Sequence, residues 1–141
     1  MLSLTKIFHF EMAHAIHGYN GACRNIHGHS YELHVKVTAG NGTSGFIPSP
    51  GFIVDFKELK CWVNDAVINE FDHKLVLSDA YLAKNPAIEL QENLVKWKVE
   101  PTAENLLIYI AQMLGEQFPC NIKLVNLKLF ETKDSYAEWT N

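Results

Sequence analysis

Two histidines separated by one glycine, His27-Gly28-His29, stand where a glycine-rich loop passes into an alternating apolar and polar run. In extended backbone, side chains at i and i+2 point to the same side, so both rings can reach one ion. His14 closes an upstream β-favouring stretch, and pairing of the two stretches as neighbouring strands would bring it to the same place. Three neutral imidazoles that leave a fourth position open are the ligand set of a catalytic zinc, because structural sites are closed by four protein ligands that usually include Cys. The open position implies Lewis-acid work on a bound oxygen. His9, His17 and His34 lack this spacing and read as surface or internally satisfied residues.

Cys23 lies four residues before His27 in the same loop and next to Arg24. A nearby cation or metal favours the thiolate, which makes this thiol a candidate base or nucleophile. Cys61 and Cys120 read instead as small buried hydrophobes. Asp72-His73 follows a helical segment, and a carboxylate that orients an imidazole is the usual support of a general acid or base. The other reading of that dipeptide is a histidine favoured by the dipole at a helix C-terminus. Glu104 falls in the first turn of a helix, where the dipole alone would suffice to place a negative charge. Glu131 ends an apolar strand at a position that alternation from Leu127 and Leu129 turns inward. An inward carboxylate without a partner is costly, and a guanidine-like group would satisfy it.

The elements that must carry these residues follow from periodicity. Residues 3–11 and 31–39 read as half-buried strands, and a helix is expected over 55–70, opened by Asp55 and Glu58 in a capping-box pattern. Pro101-Thr102 opens a second helix, over 102–117. Residues 122–131 form a strand with imperfect alternation, and 136–139 pair back after Lys133-Asp134-Ser135. Residues 78–100 read poorly: Asn85-Pro86 breaks any helix, and 94–99 resemble a short strand. The expected fold is α+β, one domain of residues 1–141 with a four-stranded antiparallel sheet and two helices on one face. If the other face is apolar, the sheet needs a partner subunit.

A net charge of −4 and a pI near 5.9 leave no basic footprint for nucleic acid. No apolar run approaches the ~20 residues that span a bilayer, and Lys6, His9 and Glu11 interrupt the N-terminal stretch, so a cytoplasmic location is expected. Three cysteines without close spacing argue against a disulfide framework and against a Cys-rich zinc site.

Six segments are similar, in order and spacing, to the family of 6-pyruvoyl-tetrahydropterin and 6-carboxy-tetrahydropterin synthases. They are Glu11-Met12-Ala13-His14, Cys23 through Tyr31, Phe52 through Phe56, Phe71-Asp72-His73-Lys74, Pro101 through Asn105, and Phe130-Glu131-Thr132. The resemblance implies the tunnelling fold, a homo-oligomeric barrel (a hexamer) with active sites between subunits. It implies Zn2+ on His14, His27 and His29, Cys23 as the proton-abstracting base, and Asp72 and His73 as its acid/base partners. It also implies that Glu131 anchors a pterin ring, with Thr102 and Glu104 in the same pocket. The substrate would be 7,8-dihydroneopterin triphosphate.

The three-residue spacer between Cys23 and His27, and Ser30 after the pair, resemble the bacterial 6-carboxy synthases of the deazapurine (queuosine) route. The alternative within the family is simple elimination of triphosphate to the 6-pyruvoyl product. A three-His zinc hydrolase or hydratase would give Cys23 and Glu131 no role, and a zinc-stabilised binding module would leave the thiol idle. The 78–100 link is longer than the family's, and Ser78 stands where relatives often carry Asn or Asp.

Overall fold

The computed structural model describes residues 1–141. At its centre β1 (Leu4–His14) pairs antiparallel with β2 (His27–Ala39). Even-numbered Phe8, Phe10, Met12 and His14 of β1 are buried while Thr5, Ile7, His9 and Glu11 are exposed, and on β2 Tyr31, Leu33, Val35 and Val37 are buried. Both strands run further toward their shared loop than alternation indicated. The histidine pair therefore lies inside β2, and His14 is the last residue of β1.

The expected four-stranded antiparallel sheet is corrected to a mixed sheet of six strands. β3 (Lys74–Ser78) pairs parallel to β1, and β4 (Leu94–Trp97) pairs parallel to β3. On the other side β5 (Ile122–Thr132) pairs antiparallel to β2, and β6 (Ser135–Thr140) to β5. The order is β4-β3-β1-β2-β5-β6. Leu75-Val76-Leu77 gives no strand signal in the sequence, because a strand buried on both faces has no alternation to display.

α1 (Phe56–Val63) starts at Asp55, whose carboxylate accepts the Lys57 N–H at 2.8 Å. Its path continues through a π turn at Asn64–Ile68 to the short α2 (Asn69–Phe71), close to the expected 55–70. α3 (Asp79–Lys84) begins at Ser78, and α4 (Ala103–Gln117) begins at Thr102, whose hydroxyl accepts the Asn105 N–H at 3.3 Å. Leu59 and Val63 of α1, with Leu106 and Ile110 of α4, pack over Phe10, Tyr31 and Leu33 in one apolar cluster. Each large side chain buried there stabilises the fold by about 1.5–3 kcal/mol. α3 departs from the one-face expectation, because its Leu82 joins Leu75, Leu77 and Ala15 in a separate small cluster.

The face of the sheet away from α1 and α4 carries His9, Glu11, Glu32, His34 and Lys36, with His34 Nε2 donating to Glu32 Oε1 at 2.6 Å. The same face also carries Ile7, Phe130 and Tyr136, so it is mixed and not wholly polar. No helix is long and apolar enough to cross a membrane.

Two irregularities in β5 account for its imperfect alternation. Val37 faces Leu124 and Lys36 faces Asn126, which leaves Val125 as an extra residue. Core-facing positions are even-numbered before it (Ile122, Leu124) and odd-numbered after it (Leu127, Leu129). The second shift lies between Phe130 and Thr132 against β6, and it leaves Glu131 without a cross-strand partner there.

Candidate functional site

His14 and His27 are direct cross-strand partners, and His29 is two residues further along β2 on the same face. Directly opposed Cβ atoms lie about 5 Å apart and diagonal ones about 7–8 Å, within reach of imidazole rings. The ring centroids are 4.6 Å (His14–His27), 5.1 Å (His14–His29) and 4.9 Å (His27–His29) apart, and one ligand atom from each lies within 4.8 Å of the others. The sequence expectation that these three converge is met.

The surroundings decide which nitrogen faces the centre. His14 Nδ1 donates to the Pro101 carbonyl at 2.7 Å, and His27 Nδ1 donates to the Asn25 carbonyl at 2.7 Å. In the neutral rings the lone pairs are then on Nε2, and the two Nε2 atoms stand 3.1 Å apart. Two lone pairs so close repel unless a proton or a cation lies beside both. Two nitrogens at zinc-bond length from one ion, at a tetrahedral angle, would be about 3.3 Å apart, so this donor set fits such an ion. Backbone carbonyls placed like those of Pro101 and Asn25 are the kind of outer partner that would orient the two imidazoles toward such an ion. Backbone carbonyls carry no side-chain signature, so neither partner is legible in the sequence.

Burial holds the His14 imidazole below the usual 6.5, against the opposing pull of the Pro101 carbonyl and Glu131. It does the same to His29, again opposed by Glu131. The unfolded chain therefore binds more protons than the folded one just below pH 6.5. Stability is lost as pH falls through 6.5 and levels off below the folded values. Metal-free protein is expected to melt progressively lower as pH drops from about 7 to 5.5, with a shallower decline for His29→Ala. Calorimetry across that range checks this, and identical slopes for the two proteins would remove His29 from the account.

A cleft of about 580 Å³ adjoins His14 and is lined by Cys23, Thr102, Glu104, Glu131 and Tyr19 among others. Glu131 is 30% exposed at its side chain, with Oε1 3.9 Å from His14 Nε2. The buried Tyr31 hydroxyl donates to the same oxygen at 3.4 Å. Burial and that carboxylate push the Tyr31 hydroxyl far up, so it remains a donor. One carboxylate oxygen is thus turned toward the histidines while the group stays accessible to the cleft.

Cys23 is exposed in a short 3-10 turn, Ala22–Arg24, and its carbonyl accepts the Ile16 N–H at 2.9 Å. Cys61 and Cys120 are exposed too, correcting their reading as buried hydrophobes. Leu59 and Val63 set the core face of α1, and Cys61, two residues from each, points away from it.

Asp72 and His73 do not line this cleft. They sit where α2 gives way to β3, fastened to β1 by the Glu11 N–H donating to Asp72 Oδ1 at 2.9 Å and the His73 N–H donating to the Glu11 carbonyl at 2.6 Å. The Glu11 N–H and the adjacent His73 hold the Asp72 carboxyl below its usual range. His73 Nδ1 lies 3.0 Å from Asp72 Oδ1, so the adjacent side chains do meet. His73 is the only non-glycine residue with positive φ, 61°, a conformation that costs about 1–3 kcal/mol and leaves its ring 79% exposed.

A 6-carboxy-5,6,7,8-tetrahydropterin synthase of Haemophilus influenzae is 28% identical over 145 residues, covering 99% of each chain. Among solved structures, an uncharacterized protein from Wolinella succinogenes superposes with a TM-score of 0.79 at 19% identity, covering 99% of this chain and 98% of that one. The 6-pyruvoyl tetrahydropterin synthase of Caenorhabditis elegans superposes with a TM-score of 0.69 at 21% identity, covering 99% and 95%. These structural likenesses establish the fold. The profile of one family, described as 6-pyruvoyl tetrahydropterin synthase, matches residues 3–141, and the chain belongs to that family.

Proposed function

We propose that the chain is a zinc-dependent lyase that converts 7,8-dihydroneopterin triphosphate and one water to 6-carboxy-5,6,7,8-tetrahydropterin, acetaldehyde and triphosphate. The observation that carries this reading is the cleft that brings an accessible thiol, Cys23, and an inward carboxylate, Glu131, to the edge of the histidine triad. The full-length relative from Haemophilus influenzae supports the 6-carboxy product.

In this reading the amino-pyrimidine edge of the pterin donates two N–H groups to Glu131, as an arginine fork meets a carboxylate. That contact directs the substrate side chain toward the histidines. An ion on His14, His27 and His29 would supply Lewis acidity at the side-chain oxygens. Cys23 takes a proton from the carbon next to such an oxygen, and Thr102 and Glu104 complete the pocket wall. Asp72 and His73, remote from the cleft of their own chain, serve the cleft of a second copy in a homo-oligomer and move the proton there. Residues 1–141 act as one domain.

Incubation with the substrate, followed by mass spectrometry, tests the proposal. Acetaldehyde and 6-carboxy-tetrahydropterin are expected in equal amounts. Accumulation of 6-pyruvoyl-tetrahydropterin without acetaldehyde would assign the elimination reaction instead, and an untouched substrate would end both readings.

A further inference from the structure

Tyr19 lines the cleft but has no part in the chemistry assigned above. It lies in the loop between β1 and β2 and is 56% exposed. Tyr136, also at the cleft, is already engaged by the Phe130 ring at 4.5 Å and by Lys128 at 4.8 Å. The Tyr19 ring has no aromatic partner and rests instead on Gly21. A Cβ built on Gly21 would stand 3.0 Å from Tyr19 Cζ and closer still to Cε1. The Gly21 backbone, at φ −149° and ψ −174°, is extended and open to any residue. What position 21 requires is therefore the missing side chain, which leaves room for the Cε1–Cζ–OH end of the Tyr19 ring beside the backbone.

The geometry points to Tyr19, seated on Gly21, as the aromatic wall of the cleft, whose free ring face stacks on the flat bicyclic ring of the pterin held by Glu131. The inference rests on the function proposed above. Stacking of a heteroaromatic ring on an aromatic side chain contributes about tenfold or more in affinity. The stacked ring is remote from the reacting side chain, so the contact acts equally on ground and transition states. It therefore shows in KM and not in kcat.

The test combines turnover of 7,8-dihydroneopterin triphosphate with the quenching of neopterin fluorescence on binding. Tyr19→Ala is expected to raise KM about tenfold with kcat within about twofold, and Tyr19→Phe to keep both. Gly21→Ala should reproduce the rise in KM, since the new methyl displaces the end of a side chain and no backbone. The double variant should be no worse than Tyr19→Ala alone, because the methyl then has no ring to move. An unchanged KM for Tyr19→Ala, or additive losses in the double variant, would overturn the proposal while wild-type binding upholds the function. Wild-type protein that neither quenches neopterin nor consumes the substrate would overturn both.

Discussion

Cys23→Ala is expected to lose roughly 10²–10⁴ of kcat while retaining its zinc and its melting temperature, since a positioned acid or base contributes about that factor. The stability half of this expectation follows from exposure: the thiol stands in a 3-10 turn that contributes no buried residue, held by the Cys23 carbonyl and not by its sulfur. Surface changes of this kind are usually within about 0.5 kcal/mol. The catalytic half follows from placement, because the side chain lines the same cleft as His14 and Glu131. Cys61→Ala is the matched control, an exposed thiol on the outer side of α1. Turnover and thermal melts of the two variants decide the matter. Equal losses of turnover at equal stability would leave Cys23 without a special role.

His29→Ala is expected to carry almost no zinc, against one ion per chain in the parent, and to lose activity in proportion. Loss of an outer partner of a metal ligand typically costs 10–100-fold in affinity, and removal of a ligand itself should exceed that. His14 and His27 would remain as a cross-strand pair, but two imidazoles leave half of a tetrahedral shell to solvent. Folding should survive, because His29 is only partly buried and belongs to no apolar cluster. Elemental analysis after exhaustive dialysis reads the stoichiometry directly. A full complement of zinc in His29→Ala would remove the residue from the ligand set. Activity that persists without zinc would remove the metal from the reaction.

Much of the site could be read from local pattern. That His27 and His29 share a face needs only extended backbone, and the helices opened by Asp55 and Thr102 are set by caps and spacings a few residues long. The inward turn of Glu131 follows from counting back to Leu129 and Leu127, since both follow the bulge at Val125. Had the count begun at Ile122 or Leu124, the same rule would have placed the carboxylate on the other face. Alternation reports the side of a sheet only as long as the ladder is unbroken, and a bulge is made by the partner strand as much as by its own residues.

The remainder depended on contacts between distant parts of the chain. The β1–β2 register sets His14 against His27, and a shift of one residue would have turned it to the other face. The Pro101 carbonyl that fixes the His14 tautomer is 87 residues away, and the Glu131 oxygen approached by Tyr31 is 100 residues away. The parallel pairing of β3 with β1 adds two strands at one margin and sets Asp72 and His73 beside Glu11, away from the cleft. Which residues could share a face was set by the sequence through short-range periodicity. Which atoms face one another was decided by the tertiary structure, because register, parallel pairing and backbone acceptors are properties of packed pairs of segments that neither segment carries alone.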